Sequence, residues 1–412
     1  MAAADRALPG PEFDLILWGA TGHAGRFAAE ALASRPGLRW AIGGRDEAAL
    51  HALREELGAP AGNAVIVADA RDTAAMRALA GRAGVVLSAV GPYRLYGSPL
   101  VEACAMTGTD YVDLNGEPLW MRRMIDRFQE QARLSGARIV FSCGFDSLPM
   151  ETGVQVLQDA ALRRWGVPLP RVDCRIEFIR SEGFSPGTVA SLRDSAAAAA
   201  ASGQPDAEGP FLLAPGFRGP AHTPAVRPRF DGELELWTAP WAMAGVNTRV
   251  LHRSNALRDH AWGTDFVYDE TVIAGPGPDG RAAARSLARA LGGTADGVGT
   301  VTAGADRNHP EAAYRLSLTG HAGDRRLYAT VAGTGDPGYR SAARMAVGVA
   351  DCLVDGRPGP NGGMWTPGAL LGDALTERLV AAADMTFTVS PPGADGTWHR
   401  SGRPGGTTDA AR

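Results

Sequence analysis

An apolar run that ends in three evenly spaced glycines constrains the fold of this chain more than any other feature. Residues 15–25 read LILWGATGHAG, and small helix-forming residues follow through Ala33. Glycines spaced GxxGxxG let the backbone turn tightly and approach an anion, toward which the following helix directs its N-terminal amides. The pattern predicts the strand–turn–helix unit of a nucleotide-binding sheet. We assign cofactor contacts in this turn to Gly19, Thr21, Gly22, His23, Ala24 and Gly25.

The end of the next predicted strand indicates which nucleotide binds. In an NAD site this strand ends in Asp or Glu, which binds the ribose 2′-hydroxyl. Here the strand 38–44, LRWAIGG, is followed by Arg45. A guanidinium suits a 2′-phosphate, and FAD has no such phosphate on its adenosine ribose. The sequence therefore predicts NADPH as the cofactor.

Strands alternate with helices through the first third of the chain. Further strands are predicted at 64–68, 85–90, 111–114 and 138–142, and helices at 47–57, after Ser98, and at 119–134. This alternation is typical of a doubly wound parallel sheet. We predict an α/β protein, a Rossmann-type sheet with an inserted mixed α/β second domain.

The pattern changes after about residue 146. Segments 175–179, 234–237, 266–268, 314–318 and 326–331 alternate apolar with polar residues, as half-buried strands do. A helix is predicted from Ser185 through the alanine run 196–201, and a long loop at 203–229. Helices at 343–353 and 369–383 are expected to pack back on the first domain. We therefore predict a nucleotide domain at 1–147 completed by 341–389, a substrate domain at 148–340, and a disordered tail at 390–412.

Composition excludes several classes of function. The net charge of −4 and the lack of basic runs interleaved with aromatics argue against nucleic-acid binding, and no apolar run reaches the length of a membrane span. Scattered Cys and His residues predict no metal site. The chain has no lysine, so all 41 basic residues are arginine, and neither a Tyr-x-x-x-Lys pair nor a Schiff base is available. A cytoplasmic location is expected, with peripheral membrane contact left open.

Several longer strings resemble the saccharopine dehydrogenase-like oxidoreductases. They are GATGHAG (19–25), AVGPYRLYGSPLVEAC (89–104), YVDLNGE (111–117) and SCGFDSLP (142–149). Later strings at 185–195, 328–345 and 364–379 are similar to the trans-acting enoyl reductase branch found in actinobacterial lipid and polyketide assembly. The resemblance implies an NADP-binding Rossmann domain and an inserted domain that forms a roof over the substrate. It places Gly19, Gly22, Gly25 and Arg45 at the family's nucleotide positions.

Three loops follow the carboxyl ends of the predicted strands, where ligands of doubly wound sheets bind. They are 91–97, 114–117 and 142–149. Candidate catalytic residues are Tyr93 and Tyr96 for proton donation or enolate stabilisation, and Asp146 for orienting the substrate. Packing is the alternative for the tyrosines, and a turn or helix cap for Asp146. Further cofactor contacts are assigned to Val90, Gly91, Pro92 and Cys143.

Other polar residues near these loops have structural explanations. Asp113 and Glu117 are expected to form structural hydrogen bonds, although an acid pair is the alternative. Ser185 and Thr188 are candidates to approach the substrate from the second domain, and helix capping alone accounts for Ser185.

Three functions remain open at this stage. The favoured one is NADPH-dependent reduction of an activated C=C in an acyl or polyketide substrate, with an acyl-carrier domain as candidate partner and a homodimer as candidate assembly. The second is saccharopine-type reduction of a C=N, whose carboxylates would need arginines such as Arg175, Arg180 and Arg193. The third is a nucleotide-binding scaffold without turnover.

Overall fold

A computed structural model describes residues 10–58, 64–180, 209–220, 222, 225–292, 313–356 and 362–390. Within these ranges the chain forms two seven-stranded sheets. No described helix is long and apolar enough to cross a membrane. The predicted helix at 185–201, the candidates Ser185, Thr188 and Arg193, and the tail beyond Ser390 lie outside the described residues.

The first sheet is parallel and carries the glycine-rich turn. Its described strands are β1 (Phe13–Trp18), β2 (Trp40–Gly44), β3 (Ala64–Val67), β4 (Ala83–Ser88), β5 (Asp110–Asp113), β6 (Arg138–Val140) and β13 (Gly363–Trp365). The spatial order is β13-β6-β5-β4-β1-β2-β3. Leu15, Ile16 and Leu17 are fully buried in succession because helices cover both faces of a doubly wound sheet. This order is that of a Rossmann fold, as predicted.

Helices connect and cover these strands. They are α1 (His23–Ala33), α2 (Glu47–Glu56), α3 (Thr73–Ala80), α4 (Tyr93–Tyr96), α5 (Ser98–Thr107), α6 (Pro118–Ser135) and α7 (Leu148–Trp165). Asp46 and Asp72 cap α2 and α3 by accepting backbone N–H groups of the first turn. Gly108, Gly136 and Gly166 end α5, α6 and α7 in the left-handed conformation.

The second sheet is mixed. Its described strands are β7 (Arg171–Ile179), β8 (Arg229–Asp231), β9 (Leu236–Pro240), β10 (Val267–Gly275), β11 (Tyr314–Ala322), β12 (Arg325–Gly333) and β14 (Met385–Ser390), in the order β14-β12-β11-β7-β10-β9-β8. Only β7 and β10 pair in parallel. Helix α7 covers one face so closely that a Cβ on Gly153 would lie 2.8 Å from a methyl group of Val331. The described part also contains α8 (Ala244–Leu257) and α9 (Gly277–Gly292).

The C-terminal segment contributes one strand to each sheet. Helix α10 (Arg340–Val354) packs against α1, and β13 extends the first sheet beside β6. The helix expected at 369–383 is two helices, α11 (Pro367–Leu371) and α12 (Asp373–Ala382), because Gly372 between them has a φ of +56°. Residues 385–389 were expected on the nucleotide domain, but β14 pairs with β12 of the second sheet. Alternating residues such as Phe387 and Val389 give β14 one face that packs on the core.

Candidate active site

The turn between β1 and α1 can be built only from glycine at two of its positions. Gly19 has a φ of +86°, and a Cβ there would lie 2.5 Å from a methyl group of Val90. A Cβ on Gly25 would lie 2.1 Å from the carbonyl oxygen of Gly19. Helix α1 therefore packs directly on the turn that precedes it, which brings its N-terminus to the carboxyl edge of the sheet.

The N-terminus of α1 is free to receive an anion. Gly22 is its N-cap and supplies no side chain to accept the first amides, and the first turn holds no acidic residue. Gly22 and His23 are exposed, whereas Thr21 and Ala24 are half-buried. The ring of His23 lies 6.1 Å from that of Tyr339 at the start of α10. This edge thus fits a pyrophosphate through backbone amides, while the His23 ring packs against α10.

Arg45 lies directly after β2, at the same edge of the sheet. Its side chain is exposed, and among the described residues no carboxylate pairs with it. The adjacent Asp46 is engaged elsewhere, since its carboxylate accepts the backbone N–H of Ala49. The guanidinium is therefore available to a phosphate group, and its contact with the 2′-phosphate stays a prediction.

The segment after β4 lies beside the glycine turn. Val90 is half-buried against Gly19, Gly91 is exposed, and Pro92 is half-buried as the N-cap of α4. These three residues and the glycine turn line one continuous edge, where the predicted cofactor contacts were assigned.

Tyr93 faces the protein interior. Its hydroxyl donates to the carbonyl oxygen of Ser88 at 3.1 Å and accepts the backbone N–H of Leu114 at 3.3 Å. Burial, with the charge of Asp113 adding to it, raises the pKa of this phenol well above its ordinary value. The geometry does not support the predicted proton donor, because the hydroxyl bonds to two backbone groups and Tyr93 is only 5% exposed. Packing is the interpretation that these contacts favour.

Tyr96 lies at the other end of α4 and is half-buried. The guanidinium of Arg71, which follows β3, lies 5.4 Å from the centre of its ring. Among the described residues no hydrogen bond to its hydroxyl is formed. Tyr96 therefore keeps a phenol available to a ligand and stays a candidate.

Glu117 and Asp113 have structural partners. Glu117 accepts the backbone N–H groups of Tyr93 and Arg94, each at 2.8 Å, and so caps α4. Asp113 accepts hydrogen bonds from the Asn115 side chain and the Ser142 backbone. Burial raises the pKa of Asp113 to about 7. Both carboxyls hold the loops at the carboxyl edge in place.

Cys143 is assigned to the cofactor by sequence but its side chain is fully buried. The thiol lies 3.6 Å from the carbonyl oxygen of Val140, and burial raises its pKa well above the ordinary value. The side chain therefore has no exposed surface to contact a nicotinamide. Packing of a small apolar side chain in the interior explains a cysteine at this position.

Asp146 is half-buried, and its carboxylate forms no hydrogen bond to another described residue. Burial raises its pKa to about 6. It lies on the loop between β6 and α7, at the boundary between the two sheets. A half-buried carboxyl without a protein partner is suited to contact a ligand.

A hydrogen-bonded chain beside Asp146 was missed by sequence reasoning. The Ser147 hydroxyl donates to the Asn247 side chain at 2.7 Å. The Asn247 amide in turn donates to both carboxylate oxygens of Glu270, at 3.1 and 3.0 Å. Burial raises the pKa of Glu270 to about 8, and the charges of Asp269 and Asp146 add to this effect. The chain joins the first sheet's loop to α8 and β10; no motif in the sequence marks these residues.

Three aspartates of the second sheet neutralise the charge of Arg175. Its guanidinium forms ion pairs with Asp231 at 2.9 Å, Asp269 at 3.0 Å and Asp173 at 3.7 Å. Because three aspartates pair with Arg175, this side chain is not available to a substrate carboxylate. The alternative of saccharopine-type C=N reduction required an arginine that is. Arg180 packs over the Phe178 ring at 5.3 Å. Among the described residues no group of three His, Cys, Asp or Glu side chains is placed to hold a metal ion.

Known proteins resemble this chain over part or most of its length. Residues 15–140 match the saccharopine dehydrogenase NADP-binding domain family. A Mycobacterium tuberculosis protein, provisionally named a trans-acting enoyl reductase, is 38% identical over an alignment of 410 positions that covers 90% of this chain and 96% of that protein. A Mycobacterium bovis protein named trans-acting enoyl reductase is 36% identical, covering 92% of this chain and 98% of that one. Saccharopine dehydrogenase from Saccharomyces cerevisiae is 14% identical, with a TM-score of 0.48 over 91% of this chain and 100% of that one.

Proposed function

Because this chain belongs to the saccharopine dehydrogenase-like NADP-dependent oxidoreductases, in the branch of the trans-acting enoyl reductases, we propose that it uses NADPH to reduce an activated carbon–carbon double bond. The substrate class we infer is an enoyl thioester of lipid or polyketide assembly. The observation that carries this proposal is the match to relatives with that name over nine-tenths of both chains.

The residues at the carboxyl edge fit NADPH. The free amides at the start of α1 would bind the pyrophosphate, and Arg45 would bind the 2′-phosphate. When bound, NADPH supplies a hydride, which in this reaction goes to the β-carbon of the enoyl group. The protein must then stabilise the developing enolate and place a proton near the α-carbon.

Asp146 is the residue we assign to that proton. Its carboxyl has no protein partner among the described residues, and its pKa of about 6 lies near neutral pH, where general acids work best. The nearby Glu270, with a pKa of about 8, is protonated at neutral pH. The charge of Asp146 disfavours ionisation of Glu270, so the pair retains a proton at the boundary of the two sheets. Tyr96 is the remaining candidate for the enolate oxygen.

Reduction of a C=N on an amino-acid-derived substrate is less well supported. Such a substrate carries carboxylates, and recognition of carboxylates calls for unpaired arginines. Arg175 is occupied by three aspartates, and Arg193 lies outside the described residues. The scaffold alternative is set aside by the family assignment, because the chain is an NADP-dependent oxidoreductase.

A direct assay tests the proposal. Purified protein is given NADPH with crotonyl-N-acetylcysteamine thioester, or with saccharopine-forming mixtures of an amino acid and an oxo acid, and loss of nicotinamide absorbance is followed. We expect turnover with the thioester only. Asp146→Asn should lower kcat at unchanged NADPH affinity, whereas Asp126→Asn, which changes an exposed carboxyl on α6, should leave both unchanged. Turnover with the imine mixture alone would overturn the proposal.

A further inference from the structure

A stripe of arginines on the second sheet's helix α9 is not used by the proposed reaction. Arg281, Arg285 and Arg289 recur at intervals of four residues, so they lie along one side of the helix. All three are exposed, and among the described residues none pairs with a carboxylate. Arg289 donates to the Ser286 hydroxyl at 3.3 Å. We call these three residues the arginine stripe.

Aromatic side chains flank the arginine stripe. The guanidinium of Arg281 lies 5.2 Å from the centre of the Trp237 ring on β9. Trp237 in turn contacts Phe230 of the edge strand β8, with ring centres 5.8 Å apart. Phe230 is 52% exposed, so the two aromatic rings and the Arg281 guanidinium form one mixed aromatic and cationic surface. Aromatic and arginine side chains together are the residues that contribute most at protein interfaces.

A cavity opens beside the stripe. It has a volume of about 300 Å³ and is lined by Trp237, Gly277, Pro278, Arg281, Ala282 and Arg285. Two guanidinium groups and an indole thus surround a recess large enough to admit a small group from a docked partner.

The stripe also lies at the end of the strand that carries Glu270. Within strand β10, Glu270 lies five residues before Gly275, which pairs with Trp237. Five residues of extended strand span about 16 Å. A partner seated on the stripe would therefore sit within reach of the boundary where Asp146 and Glu270 lie, if it presents its substrate on a flexible arm.

We propose that the arginine stripe docks an acidic helix of the acyl-carrier domain that delivers the thioester, an inference that rests on the proposed function. The cations are spaced about 6 Å apart along the helix axis, which matches carboxylates four residues apart on a facing helix. The stripe is a local positive surface on a chain whose net charge is −4. A second copy of this chain is a poor occupant, because a two-fold contact would place arginines against arginines.

Charge reversal on the stripe tests this inference. Arg281→Glu/Arg285→Glu is compared with wild type on two substrates: a crotonyl group carried by an acidic bacterial acyl-carrier protein, and crotonyl-N-acetylcysteamine thioester. We expect kcat/KM for the carrier-borne substrate to fall about tenfold at low salt and the deficit to shrink as salt rises. The small thioester should be reduced at the wild-type rate. Arg77→Glu, a reversal at an exposed arginine of α3, is the matched control and should change neither.

The other outcomes distinguish a failure of the proposed docking surface from a failure of the proposed reaction. Equal losses on both substrates, or no loss on the carrier-borne one, would overturn the docking surface. If neither thioester is reduced, the proposed function fails, but fluorescence anisotropy of labelled carrier protein still tests the docking surface. Binding by wild type but not by the double variant supports the docking surface. Equal binding by both proteins overturns it. If the double variant binds phosphatidylglycerol vesicles more weakly than wild type, and neither protein binds the carrier, the surface would be assigned to lipid instead and the docking proposal overturned.

Discussion

Cofactor selectivity depends at the residue scale on Arg45. Its exposed guanidinium lies at the carboxyl edge beside the free amides of α1 and has no described carboxylate partner. Arg45→Ala should weaken NADPH binding by about 1.5–3 kcal/mol, the value of a hydrogen bond to a charged group, and leave NADH binding nearly unchanged. Titration with both cofactors, followed by nicotinamide fluorescence at fixed salt, measures this. Arg54→Ala on α2 is the control, and equal losses for both cofactors would remove Arg45 from the phosphate site.

Tyr93 illustrates how burial changes the interpretation of a motif. A tyrosine after a Gly-Pro pair at the carboxyl edge suggests a proton donor, yet its hydroxyl is bound to the Ser88 carbonyl and the Leu114 amide. Tyr93→Phe should lower the free energy of unfolding by about 0.5–1.5 kcal/mol and leave kcat within about twofold of wild type. Urea unfolding and steady-state turnover provide the two measurements. A large fall in kcat without loss of stability would restore the catalytic assignment.

Glu270 makes stability depend on pH in a defined direction. Burial raises its pKa from 4.5 to about 8, so between these values the native protein binds more protons than the unfolded chain. Stability conferred by the protonated carboxyl is present below pH 4.5 and is lost as pH rises toward 8. Asp113, with a pKa of about 7, acts in the same direction. Glu270→Gln should therefore lose less stability than wild type between pH 6 and pH 9 in urea unfolding. Glu55→Gln, at an exposed position, should behave as wild type does.

At the element scale, two glycines of the turn before α1 are expected to differ in their effects on NADPH binding and on stability. A Cβ at Gly25 would lie 2.1 Å from the Gly19 carbonyl oxygen, whereas one at Gly22 would lie 3.4 Å from the same atom. Gly25→Ala should cost about 1–3 kcal/mol of stability and abolish NADPH binding, because the helix must move. Gly22→Ala should weaken NADPH binding while stability is retained. Thermal unfolding with and without NADPH distinguishes the two, and equal stability losses would contradict this account.

Elements with a strong local signal were predicted well from the sequence. The strand, the three glycines and the small-residue helix at 15–33 carry their own turn chemistry, and the parallel sheet follows from the alternation of apolar runs. Helices α7 and α8 were missed because polar residues such as Glu151 and Asn247 interrupt their apolar pattern. In the structure these polar groups are buried with partners: Glu151 accepts from the Ser254 hydroxyl at 2.7 Å. Partners separated by a hundred residues leave no mark on local periodicity.

At the scale of the whole molecule, the chain passes three times between the two sheets. Helix α10 returns to α1 after the second sheet is almost complete, and β14 then joins β12. Candidate site residues therefore come from both parts: Arg45 and Asp146 from the first, Asn247 and Glu270 from the second. The sequence marks the first pair as candidates because they follow predicted strands at the carboxyl edge of the first sheet. Sequence reasoning could not find the second pair, whose function depends only on which side chains the fold brings to the boundary.

The bridge through Asn247 should couple the two parts. Its amide links Ser147 after β6 to Glu270 on β10, so Asn247→Ala leaves both polar groups buried without a partner. We expect a loss of about 1–3 kcal/mol in unfolding free energy, together with a fall in kcat at unchanged NADPH affinity. Asn255→Ala is the matched control on the same helix, since among the described residues the Asn255 side chain bonds to the backbone of Trp262 and Gly263, both within the second part. It should lose similar stability but keep its kcat. If both variants lower kcat alike, the bridge contributes stability alone, and the boundary is not where the reaction takes place.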